Sequence, residues 1–107
     1  MKRGEVWLVA GGVYASKPRP ALIVQDDRFE TDSVTVCPFT TTDVDAPLLR
    51  HPIPADATSG ITQPSFLMID KLTTVRRSNV AQRVGALAPA QLTEFERRAL
   101  DFLGFAG

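Results

Sequence analysis

Lys17-Pro18-Arg19-Pro20-Ala21-Leu22-Ile23-Val24 is the stretch of sequence that decides the fold. Its four consecutive apolar residues are typical of a strand that is buried on both faces. The two prolines before them each fix φ near about −65° and stiffen the chain that leads into this strand. We therefore predict a central strand that begins after Pro20. The prolines on either side of Arg19 should hold that residue in a fixed position just before the strand.

Arg19 is the first candidate functional residue. A guanidinium carries five donors in one plane, which match a phosphate or a carboxylate in bidentate fashion. Arg19 could equally be a solvated cap at a sheet edge, since X-Pro steps around a charged residue are common where a loop joins a strand. Both interpretations stay open at this stage.

Length and composition restrict the class of protein. The 107 residues suffice for one domain with a single core over residues 1–107. The 12 Lys plus Arg balance 12 Asp plus Glu, so a nucleic-acid site needs local clustering of basic residues or an oligomer that combines them. The single cysteine, Cys37, cannot form an internal disulfide, and no apolar run approaches the length of a membrane span. We expect a cytoplasmic protein with no membrane partner.

Short runs of β-forming residues separated by turn residues predict further strands. These runs are residues 5–9, 34–40, 48–53, 66–72 and 81–87. Pro38 predicts an edge or a bulge in the run that contains it, because proline cannot donate to a ladder. Thr73-Thr74-Val75 either extends the run before it or bends away from it.

The C-terminus changes to a helical period. Pro89 suits a first helical position and Gly104 suits a helix end. Between them, apolar residues recur at spacings of three and four: Leu92, Phe95, Ala99, Phe102 and Leu103. Short strands followed by one amphipathic helix predict a mainly β (α+β) fold, a small bent sheet or partly closed barrel covered by the helix.

Two further polar segments are candidates for phosphate contacts. Thr40-Thr41-Thr42 places three hydroxyls where a strand ends, although β-branched residues are also ordinary strand material. Residues 71–93 contain no acid and four basic residues, which suits a solvated face as well as an RNA footprint. The basic residues are Lys71, Arg76, Arg77 and Arg83.

Four segments together resemble the MazF/PemK family of toxin endoribonucleases in order and spacing. They are Arg3-Gly4-Glu5-Val6-Trp7, residues 17–24, Pro38-Phe39-Thr40-Thr41 and Ile69-Asp70-Lys71-Leu72. The resemblance covers nearly the full chain. It implies an SH3-like barrel of five to seven short strands, a homodimer, a cognate antitoxin, and cleavage of single-stranded RNA without a metal or another cofactor.

The resemblance also implies site residues. The family's functional arginine and threonine match Arg19 and Thr40, which we expect to be catalytic. RNA contacts are expected from Lys17, Thr41, Lys71, Arg76 and Arg77. Residues 71–83 are in addition a predicted binding site for an acidic, disordered antitoxin tail that folds on binding.

The sequence offers three candidates for the general base and does not decide between them. His51 lies between Arg50 and Pro52, a context more typical of a solvated histidine. Asp70 is a second candidate that could instead form an ion pair with Lys71. Asp26-Asp27 is a third, and it also suits a strand-ending turn.

A different function class uses a related fold. CcdB proteins resemble this barrel but bind DNA gyrase and carry no nuclease site, and a catalytically inactive binding module is a further alternative. Arg19 together with Thr40 favours the endoribonuclease, because a gyrase binder needs neither residue.

Overall fold

The computed structural model describes residues 1–11 and 15–105. The described elements are β1 (Glu5–Gly11), β2 (Ala15–Ile23), β3 (Ser33–Thr40), β4 (Arg50–Ile53), β5 (Ser65–Met68), β6 (Thr73–Arg76), β7 (Val80–Ala86) and α1 (Pro89–Leu103). Short 3-10 turns, Ile69–Lys71 and Arg77–Asn79, follow β5 and β6. The predicted mainly β fold with a C-terminal helix is confirmed.

The strands form one bent antiparallel sheet in the order β4-β5-β3-β2-β1-β7. β3 lies at the bend, because the edge that does not face β2 pairs first with β6 and then with β5. The 3-10 turn Ile69–Lys71 separates β5 from β6 at the point where β3 changes partner. The run predicted at residues 66–72 therefore ends at Met68, and the chain bends before β6.

The prolines of the deciding stretch lie inside a strand, which corrects the prediction that the strand begins after Pro20. β2 already pairs with β1 at Ala15, and it continues through Arg19 opposite Val9 and Pro20 opposite Leu8. The ladder between β2 and β3 begins only at Ala21. Proline is tolerated in β2 because that part of the strand has a single hydrogen-bonded neighbour. The run from Ala21 to Ile23 is fully buried, as the sequence predicts.

Pro38 lies in the interior of the sheet, so the predicted edge or bulge is wrong. It pairs with Ala21 on one side of β3. On the other side, the pairing with β6 ends at Val36 and the pairing with β5 begins at Phe39. A proline at this position therefore costs no ladder hydrogen bond with β5 or β6.

Helix α1 covers one face of the sheet. Phe95 is buried and packs with Val6, Leu22, Phe39 and other residues of that face. The helix begins at Pro89 and ends before Gly104, whose φ of 80° is the left-handed conformation of a helix end. Its last turn extends beyond the core, which leaves Phe102 and Leu103 exposed. Within residues 1–11 and 15–105, no helix is long and apolar enough to cross a membrane.

Candidate active site

Arg19 is an exposed residue of β2. Side chains alternate between faces along a strand, so Arg19 lies on the same face of β2 as Ala21 and Ile23. These two residues belong to a second apolar cluster with Val34 and Val36 of β3, on the opposite face from the cluster of Phe95. The guanidinium is therefore carried on the sheet face that α1 does not cover.

Thr40 ends β3 and is half-buried. Its Oγ1 accepts a hydrogen bond from the backbone N–H of Thr42 at 3.1 Å, which fixes the direction of the hydroxyl. The hydroxyl proton remains available to donate to a ligand. The alternation along β3 places Thr40 on the same face as Val34 and Val36, the face that carries Arg19.

The register of β2 and β3 relates these two residues. In this ladder Ala21 pairs with Pro38, Leu22 with Cys37 and Ile23 with Val36. Extending this register by two residues sets Arg19 opposite Thr40. The β2–β3 ladder ends at Ala21 and Pro38, so Arg19 and Thr40 lie just beyond it, on the same face of two neighbouring strands. The register thus favours a cation and a hydroxyl side by side at one rim of the sheet.

Lys17 and Thr41 lie close to this pair along the chain. Lys17 is exposed and, two residues before Arg19, belongs to the same face of β2. Thr41 is exposed directly after β3. Both positions suit contacts to the backbone of a single-stranded RNA bound at this rim of the sheet.

Of the remaining predicted basic residues, Arg76 and Arg77 are not brought to the rim within one chain. Arg76 pairs with Ser33 at the opposite end of β3, about 23 Å from Thr40 along the strand. Arg77 donates from Nε to the carbonyl oxygen of Thr31 at 2.8 Å, so it fastens the loop before β3. Lys71 is exposed in the turn between β5 and β6.

His51 is buried, which contradicts the prediction of a solvated residue. It lies in the middle of β4 opposite Leu67, which itself lies opposite Phe39. All three therefore share the face under α1, opposite to that of Arg19 and Thr40. Burial, and then the nearby positive charge of Arg98, lowers the pKa of His51 to about 4. Its Nδ1 has no hydrogen-bond partner among the described residues.

Asp70 binds Arg50, so the predicted pair with Lys71 is wrong. The guanidinium of Arg50, whose side chain is 12% exposed, donates to Asp70 Oδ1. Burial alone would raise the pKa of Asp70, but the hydrogen bond and the charge of Arg50 outweigh it and lower that pKa. A carboxylate held in this way is a weak base, because the guanidinium stabilises its ionised form.

Replacing Asp70 with asparagine should destabilise the protein without slowing, per folded molecule, the RNA cleavage that the resemblance implies. Arg50 would lose its charged partner while its side chain stays largely buried, so we expect the unfolding free energy to fall by about 2 kcal/mol. Urea denaturation measures this loss. Asp101→Asn, on the exposed side of α1, is the matched control and should change it by less than about 0.5 kcal/mol. A cleavage rate that falls a hundredfold in folded Asp70→Asn would instead make Asp70 a catalytic residue.

Asp26 and Asp27 organise the turn after β2. Asp26 Oδ1 accepts from the backbone N–H of Arg28 at 2.9 Å, and Asp27 Oδ1 accepts from that of Arg3 at 2.7 Å. The turn interpretation of these two residues is confirmed.

Phe66 is the feature of this region that sequence reasoning missed. It is half-buried in β5, directly opposite Thr40 of β3 and opposite Pro52 of β4. A cavity of about 580 Å³ opens beside it. No local pattern marks Phe66, because its position depends on the pairing of β5 with β3.

Among the described residues, no group of three or more His, Cys, Asp or Glu side chains has the arrangement of a metal site.

Comparisons with known proteins agree with this fold. Residues 2–103 match the family described as PemK-like, MazF-like toxin of type II toxin-antitoxin system. The chain is 53% identical over 109 aligned residues to a probable endoribonuclease MazF of Mycolicibacterium smegmatis, with 100% of both chains covered.

Two examples of solved structures that share the architecture are the following. One is the Mycobacterium tuberculosis toxin MazF-mt6, with a TM-score of 0.78 and 24% identity, covering 94% of this chain and 96% of that one. The other is an endoribonuclease in complex with its cognate antitoxin from Mycobacterial species, with a TM-score of 0.77 and 21% identity, covering 97% and 95%. At these identities the likeness shows the fold.

The fold and the curated relative define a small β toxin of the endoribonuclease class. The chain belongs to the PemK-like, MazF-like toxin family of type II toxin-antitoxin systems. The gyrase-binding alternative is not favoured, because the full-length relative is named as an endoribonuclease.

Proposed function

We propose that this chain is the toxin of a toxin-antitoxin pair and cleaves single-stranded RNA by attack of a ribose 2′-hydroxyl on the adjacent phosphorus. The observation that supports this mechanism most is the β2–β3 register, which on extension sets Arg19 opposite Thr40. A guanidinium and a hydroxyl on the same face of two neighbouring strands can bind two oxygens of one phosphodiester.

Arg19 stabilises charge in the transition state. Attack by the 2′-oxygen places extra negative charge on the phosphoryl oxygens, and a fixed cation lowers the barrier if it binds that state better than the ground state. A guanidinium remains protonated at neutral pH, so Arg19 acts through charge and hydrogen bonds and not as a conventional base. Its location in a strand limits the entropy lost when it binds the phosphate.

Thr40 supplies a second donor. Its Oγ1 is oriented by the N–H of Thr42, so the hydroxyl proton can bond to a non-bridging phosphate oxygen or orient the attacking 2′-hydroxyl. The 2′-oxygen forms a bond to phosphorus as the bond to the 5′-oxygen breaks. The 2′-hydroxyl loses its proton and the leaving oxygen gains one, which leaves a 2′,3′-cyclic phosphate and a 5′-hydroxyl.

The other predicted RNA contacts fit this proposal in two groups. Lys17 and Thr41 both lie beyond the Arg19 and Thr40 pair, at the same end of β2 and β3, and bind the RNA backbone on that side of the scissile phosphate. Arg76 and Arg77 lie at the other end of β3, so they contribute at longer range or from a second subunit, and Lys71 contributes from the turn between β5 and β6. A homodimer would combine the basic residues of two neutral chains along one RNA strand.

The partners and the location follow from the family. We infer a cognate antitoxin, a homodimer and a cytoplasmic location, where a transcript is accessible. Exposed apolar side chains at the end of α1 support a contact with another protein, because contiguous apolar surface is rare on soluble monomers. These side chains are Leu100, Phe102, Leu103 and Phe105.

Cleavage by this mechanism requires the 2′-hydroxyl and not a divalent metal. The purified protein should cut a single-stranded RNA in excess EDTA and leave 2′,3′-cyclic phosphate ends. One 2′-deoxy substitution on the 5′ side of the scissile phosphate should abolish cutting there, because no nucleophile remains. Gel electrophoresis with mass analysis of the ends measures both results. Continued cutting of the 2′-deoxy substrate, or a strict need for metal, would overturn the proposal.

A further inference from the structure

A row of side chains crosses several strands at the proposed active site. Thr40 of β3 lies opposite Phe66 of β5, and Phe66 lies opposite Pro52 of β4. Arg19 lies on the other side of Thr40 when the β2–β3 register is extended. Neighbouring strands are about 4.8 Å apart, so Phe66 is one strand spacing from the catalytic hydroxyl. The row therefore continues from the phosphate position to an aromatic ring.

The cavity beside Phe66 has the size of a small-ligand site. Its volume is about 580 Å³, within the range of about 300 to 1,000 Å³ that is usual for such sites. Phe66 and Pro52 form an apolar wall. Charged side chains of the β3–β4 connection, of β4 and of α1 also line the cavity: Asp43, Asp45, Arg50 and Arg98.

We propose that this cavity binds the nucleobase next to the scissile phosphate, stacked against Phe66 and read at its edge by Asp43 and Asp45. The proposal rests on the proposed function, since it uses the phosphate position at Arg19 and Thr40. Bases of single strands are commonly recognised by stacking on aromatic rings, which leaves their Watson–Crick edges free for hydrogen bonds.

The carboxylates select guanine. The two arginines of the lining are engaged, Arg50 with Asp70 and Arg98 with Glu94, whereas Asp43 and Asp45 are exposed and form no ion pair among the described residues. An ionised carboxylate only accepts hydrogen bonds. The guanine edge presents adjacent N1–H and N2–H donors that match the two oxygens of one carboxylate, whereas other bases present a single donor group there.

Stacking on Phe66 is tested by substrate binding. Phe66→Leu should raise KM, and the Kd for an uncleavable 2′-deoxy oligonucleotide, by roughly tenfold or more, while kcat changes less than about threefold. Phe66→Tyr keeps an aromatic ring and should restore wild-type KM. Phe29→Leu is the matched control, because Phe29 is 55% exposed in the loop before β3, away from Thr40. Unchanged binding by folded Phe66→Leu, or failure of Phe66→Tyr to rescue it, would overturn the stacking role.

Base selection is tested with a random RNA pool and with inosine. The wild-type protein should enrich guanine next to the cut, and inosine, which lacks the N2 amino group, should lower kcat/KM there by about tenfold. Asp43→Asn or Asp45→Asn should remove most of that difference. If the protein cuts RNA in an Arg19-dependent way with no guanine preference, the base pocket is refuted and the proposed function stands. If no RNA is cut at all, the proposed function itself fails.

Discussion

Arg19→Ala should lower kcat for RNA cleavage about 100- to 1,000-fold while the protein stays folded. Removing one donor that stabilises a developing oxyanion typically raises the barrier by about 3 to 4 kcal/mol, and Arg19 also carries the positive charge. The side chain is exposed, so its loss should change the unfolding free energy by less than about 0.5 kcal/mol. Single-turnover cleavage of a labelled RNA, with thermal melting of the same sample, separates the two quantities.

Three further variants sharpen the interpretation of Arg19. Arg19→Lys keeps the charge but loses the planar donors, so it should recover only part of the rate. Thr40→Val keeps the shape of the side chain and removes the hydroxyl, and it should lower kcat about 100-fold. Arg28→Ala removes an exposed arginine of the loop before β3 and should leave kcat unchanged. Full-speed cleavage by folded Arg19→Ala would exclude Arg19 from catalysis.

Local sequence patterns predicted the elements whose burial follows from neighbouring residues. The apolar run at Ala21 is a buried strand, and Pro89 and Gly104 bound the helix, because both signals act within a few residues of the chain. The extent of β2 was not predictable in this way. The strand extends back to Ala15 because β1 pairs with Pro20, Arg19 and Ala15, and that pairing is a property of the sheet.

Local sequence patterns also could not predict the surroundings of the polar residues of the site. Arg19 and Thr40 could be singled out from the resemblance, but their common face depends on a register between strands. The environments of His51 and Asp70 depend on α1 and on Arg50, which are distant in sequence. The residues next to His51 in sequence, Arg50 and Pro52, suggest that it is exposed to solvent. The pairing of β4 with β5 instead points its side chain into the core. Long-range pairing therefore decided the features that sequence reasoning missed.

His51 should make the protein less stable as the pH falls from 7 to 5. Its pKa in the folded protein is lowered to about 4, whereas the unfolded chain should have the usual value of about 6.5. The unfolded state therefore takes up a proton in this range and the folded state does not, so the stabilisation is complete above about pH 6.5 and is lost as the pH falls towards 4. At pH 5 the loss should be about 2 kcal/mol.

The assignment to His51 can be isolated because it is the sole histidine of the chain. Glu94, Arg97 and Arg98 of α1 are the charged groups whose fields act on it, and none of them changes its charge between pH 5 and pH 7. Urea denaturation at both pH values should therefore show the loss in the wild-type protein and a nearly flat response in His51→Gln, whatever the absolute stability of that variant. An equal fall in both proteins would place the titrating group elsewhere and show that His51 is protonated as readily in the folded state as in the unfolded chain.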